Sequence, residues 1–75
     1  MDEYMGRNAK VISGPYAGAT GYVEGVREGP RTGRTVLCVI FDAPVTVDGV
    51  VYGTLWFSPE ELELGDHRAS WKPSL

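Results

Sequence analysis

The sequence predicts a small all-β domain, and three observations carry that expectation. Ten Gly and five Pro make up a fifth of the 75 residues, spread as punctuation between short apolar runs. Those runs are rich in Val, Ile, Tyr and Phe, the residues that suit a pleated, half-buried surface. Only one stretch, Ser58-Pro59-Glu60-Glu61, carries a helix-start signature, and it is followed too soon by Gly65 to support more than a turn. Hydrophobic residues are 43% of the chain, which argues against disorder, and the glycines follow no collagen-like period.

The elements follow in order. Met1 to Arg7 reads as a polar lead-in, and Ala9 to Ser13 is the first strand, centred on β-branched Val11 and Ile12. Gly14-Pro15 stops it, and Tyr16-Ala17-Gly18 continues the turn. Thr20 to Val26 is the second strand, where interior Gly21 and Gly25 point to strong bending or close backbone approach. Arg27 to Arg34 holds two Gly, one Pro and three Arg with no apolar residue, so it is an exposed loop. Thr35 to Phe41 is apolar on both faces and is expected to be central and buried.

Asp42-Ala43-Pro44 ends that strand. Asp48-Gly49, between Val45-Thr46-Val47 and Val50-Val51-Tyr52, suits a type I′ hairpin. Gly53 permits a bend before Thr54 to Phe57. Ser58 is then an N-cap, Pro59 sits at N1 and Glu61 at N3 of a single 3-10 turn before a short closing strand at Leu62-Glu63-Leu64. A polar tail occupies residues 65–75. Five short strands with one helical turn before the last describe a small SH3-like barrel over about residues 8–64, within one domain spanning 1–75. An oligonucleotide-binding barrel takes longer strands, and an open meander leaves its edge strands unprotected.

The stretch Gly6 to Val26, GRNAKVISGPYAGATGYVEGV, resembles the KOW motif of ribosomal proteins and of NusG-type transcription elongation factors. Lys10-Val11-Ile12-Ser13 matches its strand, Gly14 to Gly18 its turn, and Gly21 before Tyr22-Val23-Glu24 the opening of its second strand. Leu55-Trp56-Phe57-Ser58 and Leu62-Glu63-Leu64 are similar to the closing strands of that domain, so the resemblance extends over residues 6–64. It implies an SH3-like barrel that binds RNA, ribosomal components or polymerase-associated proteins. These 75 residues hold neither a polymerase-binding domain nor basic extensions, so the whole-protein functions of those families are not expected.

Charge and cysteine usage narrow the classes further. A net charge of -3 argues against nonspecific attraction to nucleic acid or membrane. One cysteine, Cys38, forms no internal disulfide and fits a reducing, cytoplasmic setting. The acidic N-terminus has no apolar signal region, and no apolar run approaches a bilayer span. Cys38 lies in the most apolar strand and reads as a core thiol, not as the nucleophile of a pair with His67. One His and one Cys offer no metal-ligand spacing, and the glycines lie between strands, not before a phosphate-cradling helix. No catalytic residue, metal or cofactor is expected.

Two surfaces remain as candidates. Arg27, Arg31 and Arg34 concentrate positive charge that suits phosphate or carboxylate, with Lys10 and Tyr16 near the motif turn adding a cation and a stacking ring. The plain alternative is a solvated loop. Trp56, Phe57, Tyr52 and Tyr16 suit a peptide groove; alternation sends Phe57 inward and Trp56 to the other face. Glu60, Glu61 and Glu63, with Asp66, form an acidic group at the closing turn, where capping and solvation are the plain reading. Trp56, Glu60, Glu61, Glu63 and Trp71 are the expected protein-interface residues.

The expected function is that of a non-catalytic module docking on a protein or ribonucleoprotein assembly of the transcription or translation type. RNA contact is expected through the 27–34 loop. The alternative is a small acidic inhibitor, of viral or mobile-element origin, that blocks a host or defence enzyme. Strand pairing into a homodimer is compatible with either.

Overall fold

The computed structural model describes residues 3–68. They form one antiparallel sheet of five strands: β1 (Arg7–Val11), β2 (Thr20–Glu28), β3 (Thr35–Val47), β4 (Val50–Phe57) and β5 (Leu62–His67). A 3-10 turn, Pro59–Glu61, precedes β5. The spatial order is β4-β3-β2-β1-β5, so β4 and β5 are the two edges and no ladder joins them.

The sheet is all-β as expected, but several strands run further than their local signals. Asp42-Ala43-Pro44 does not end β3. The strand passes through them with a register shift against β4 between Ile40 and Val45, an irregularity where a proline without an N–H is tolerated. The hairpin tip is as read: Asp48 and Gly49 have φ of 52° and 79°, the left-handed pair that a type I′ turn requires. β1 starts at Arg7 and ends at Val11, because Ile12 turns its N–H to the Glu61 carbonyl at 2.9 Å. β5 continues to His67, taking the first residues of the expected polar tail into the sheet. Arg27 and Glu28 belong to β2, which shortens the exposed loop to 29–34.

The core lies on one face of this sheet. Ala9, Val11, Val23, Leu37, Val39, Phe41, Phe57 and Leu62 are buried, and they come from all five strands. Tyr4, in the expected lead-in, packs against them, as do Tyr16, Tyr52 and Leu55. Register shifts between Arg7 and Ala9 and between Val23 and Gly25 help bend the sheet over its own inner face. β3 corrects one expectation. Leu37, Val39 and Phe41 are buried, but Val36, Cys38 and Ile40 alternate onto the outer face and are only half-buried. Cys38 is therefore not a core thiol. An apolar run signals two covered faces only if something covers the second, and no described element does.

Gly21 is the tightest point of the framework. A Cβ there would overlap the Ile40 carbonyl oxygen and sit 2.8 Å from its carbon and 2.9 Å from Phe41 Cα. The sequence reading of a close backbone approach thus has a definite place, between β2 and β3.

Candidate functional site

The outer face presents an exposed aromatic at the β4 side. Gly25, Cys38 and Trp56 form a row across β2, β3 and β4. The Trp56 ring reaches over the row until its Cη2 lies 3.6 Å from where a Gly25 Cβ would be. The missing side chain at Gly25 leaves the ring room to lie across the sheet. Arg27, next on this face of β2, sets its guanidinium 5.3 Å from the Trp56 ring centre, a cation–π contact. Trp56 remains 47% exposed. Arg27, Glu28, Gly29, Pro30, Val36 and Trp56 line an open groove of 460 Å³.

The groove continues into the β2–β3 loop. Gly29 N–H donates to the Arg34 carbonyl at 2.8 Å and Gly33 N–H to the Gly29 carbonyl at 3.0 Å, closing the loop on itself. Arg31 and Arg34 are exposed. Arg34 also lines a second groove, of 320 Å³, with Tyr4, Ser58 and Glu60. Arg27, Arg31, Arg34 and Trp56 therefore belong to one end of the sheet.

Lys10 and Tyr16 do not join them. Lys10 pairs with Thr20 at the start of β2, seven residues before Arg27, which at strand rise is roughly 20 Å away. Tyr16 packs edge-on against Tyr52 at 5.3 Å and Phe57 at 6.1 Å, so its ring serves the core margin and not a stacking surface. A hydrogen bond with Tyr52, then burial, pushes the Tyr16 phenol above its ordinary range. The four aromatics read as a groove are thus divided: Tyr16, Tyr52 and Phe57 cluster on the inner side, and Trp56 stands alone outside.

The acidic residues of the closing turn each have their own neighbours. Glu61 is half-buried and accepts the Ser58 N–H at 2.9 Å through Oε1, the reciprocal arm of a capping box. Glu63 lies on β5 beside Lys10, and Glu60 is exposed near Arg34. Trp71 lies outside the described residues.

Sequence reasoning missed Arg68. Just beyond β5, it folds back over the outer face of β1, β2 and β3. Its Nε donates to Asn8 Oδ1 at 2.8 Å, one terminal nitrogen donates to Asp42 Oδ1 at 2.6 Å, and the other donates to the Gly21 carbonyl at 3.2 Å. The guanidinium also lies 4.7 Å from the Tyr22 ring centre. No local signal could have found it, because its partners are 26 to 60 residues away in sequence.

The bond from Arg68 holds the Asp42 carboxyl below the usual carboxylate range; burial opposes this and the Thr20 hydroxyl adds to it. A carboxyl depressed in the fold stabilises above its unfolded pKa and loses that stabilisation as pH falls through the folded value. Arg68→Ala is therefore expected to cost about 1–2 kcal/mol at neutral pH, little of it from the half-exposed ion pair itself. The gap between parent and variant in urea unfolding should narrow in the acid range. An equal gap at pH 7 and at about pH 3 would show that the charge of Asp42 adds nothing to the clamp.

The Cys38 thiol lies 3.2 Å from Thr54 Oγ1, whose own proton goes to the Val39 carbonyl at 2.9 Å, so the thiol is the donor of that pair. Among the described residues, no three of His, Cys, Asp and Glu gather as a metal would need, and no helix is long and apolar enough to cross a membrane. No family model matches the chain, and no curated protein or solved structure does so.

Proposed function

We propose that this protein is a non-catalytic binding module that docks on a ribonucleoprotein, taking single-stranded RNA at the Arg27–Trp56 end of the sheet. The carrying observation is the half-exposed Trp56 ring under the Arg27 guanidinium, with Arg31 and Arg34 on the adjoining loop. An aromatic platform beside guanidinium groups provides base stacking and phosphate pairing together. It also keeps positive charge local on a chain whose net charge is -3. The strand-turn-strand unit of β1 and β2, which resembles the KOW motif, supports reading the bent sheet as a small SH3-like barrel. The single cysteine supports a cytoplasmic setting. An inhibitor acting through acidic residues has less support, since Glu61 is engaged in capping and Glu63 stands beside Lys10.

Fluorescence anisotropy with a labelled single-stranded RNA of about 12 nucleotides at low salt tests the reading. Binding should weaken steeply as salt rises, about tenfold or more in Trp56→Ala, and by a smaller factor in Arg31→Ala with a shallower salt slope. Lys10→Ala, on β1 beside the Thr20 end of β2, should bind like the parent. No binding at low salt, or equal losses in Lys10→Ala and Trp56→Ala, would sink the proposal.

A further inference from the structure

The groove beside Trp56 holds an acid as well as its cation. Of the residues that line it, Arg27 and Trp56 carry side-chain N–H donors, Gly29, Pro30 and Val36 carry no polar side-chain group, and Glu28 carries a carboxylate. Glu28 is therefore the groove's one side-chain acceptor. It is exposed, and it pairs with Thr35 at the last rung of the β2–β3 ladder, where the sheet stops. The nearby cations do not neutralise it: among the described residues the ion pair formed is Arg68–Asp42, and Glu28 joins none. The two loop residues in the wall offer it no donor, since the Gly29 N–H goes to the Arg34 carbonyl and Pro30 has none. Glu60, the other acid at this end, lines the adjoining groove with Arg34 and not this one.

A carboxylate repels phosphate, so beside a stacking ring it suits the donor edge of a base. We infer, on the premise that this groove takes single-stranded RNA, that Glu28 reads the Watson–Crick edge of the base stacked on Trp56, and that the base is guanine. Donor geometry selects it. The N1–H and N2–H groups of guanine lie side by side on one edge, so one carboxylate accepts from both, as it does from two arginine nitrogens. Adenine and cytosine each set their amino group beside an acceptor nitrogen, and uracil sets its N–H between two carbonyl oxygens. Each of those edges turns a lone pair toward the carboxylate. Guanine also carries O6 and N7, acceptors that suit a guanidinium such as that of Arg27. One base thus matches both the acid and the cation of the groove.

Fluorescence anisotropy at low salt, with labelled strands of about 12 nucleotides, tests this. The strands are oligoadenosine and the same strand with a few isolated positions changed to guanosine, to inosine or to cytidine. The guanosine strand should bind about tenfold more tightly than oligoadenosine, and the cytidine strand about as oligoadenosine does. The inosine strand, which lacks the N2 amino group, should gain only about threefold. Glu28→Gln, at an exposed position, should keep the parent's circular dichroism spectrum and hold oligoadenosine at least as tightly, but reduce the guanosine preference to about twofold or less. A parent that binds all the strands equally, or cytidine best, overturns the guanine assignment and leaves RNA binding in place. A guanosine preference that survives in Glu28→Gln overturns the part given to Glu28. Failure of every strand to bind overturns the RNA site itself.

Discussion

Gly21→Ala is expected to cost about 3 kcal/mol or more, most of the stability of a domain this small. The added Cβ would overlap the Ile40 carbonyl oxygen and sit 2.8 and 2.9 Å from two further backbone atoms. Backbone atoms cannot rotate away as a side-chain tip can, so β2 and β3 must separate around the Gly21–Phe41 pair. The same movement would shift the Gly21 carbonyl, which accepts from Arg68, and disturb the clamp over β1 and β3. Two glycines in other strand positions make the measurement specific. At Gly25 a Cβ meets only ordinary contacts, 3.4 Å from Cys38 Cβ and 3.6 Å from Trp56, and at Gly53 it meets nothing within 4 Å. Thermal unfolding by circular dichroism should therefore rank Gly21→Ala far below Gly25→Ala, with Gly53→Ala near the parent. For a chain of this length the drop in Tm at Gly21 should be about 15 °C or more. A fall of only a few degrees would show that the strands are less closely apposed.

Leu37→Ala is expected to cost about 3 kcal/mol, by lost burial and by the cavity left behind. Leu37 is 0% exposed and sits between Val26 on β2 and Phe57 on β4, where both neighbouring strands have residues on the core side. Its surroundings are held by ladders on both sides, so they can collapse only partly into the void. Leu37→Met, which conserves volume, should cost less than about 1.5 kcal/mol. Cys38→Ala, one residue on but on the outer face, should lose about 1 kcal/mol, since it gives up a weak thiol bond and a half-covered contact. Urea midpoints at constant m-value measure all three. Similar losses at Leu37 and Cys38 would mean that the outer face is covered after all.

The contrast between those neighbours shows which features of the fold were legible in the sequence. Period-two patterning separated Phe57 from Trp56, and the structure places the first in the core and the second outside. Reading the run around Cys38 as buried on both faces failed where alternation held, because apolar character states a preference for burial without supplying a cover. Turn chemistry was legible at Asp48-Gly49 and at Ser58-Pro59-Glu60-Glu61, where each backbone requirement is met within four residues. It misled at Asp42-Ala43-Pro44, since a bulge accommodates the same residues that end a regular strand.

The candidate site was legible only in pieces. Arg27, Arg31, Arg34 and Trp56 were visible as residues, but their convergence at one end of the sheet depends on the β2–β3 and β3–β4 registers. Those registers also carry Lys10 away from them and turn Tyr16 toward Tyr52 and Phe57.

By itself, the sequence determined that this protein is a turn-rich all-β chain, where its hairpin tip and helical turn fall, and that Gly21 and Gly25 serve either a bend or a close approach. Each of these depends on steric and hydrogen-bonding preferences within a few neighbouring residues. Only the tertiary structure decided that the sheet is open with an uncharged edge at β4, that Arg68 clamps three strands, and that Cys38 faces outward. Those outcomes depend on which distant strands pair and which faces find cover, and the free energy of such contacts is set between residues that local patterns cannot bring together.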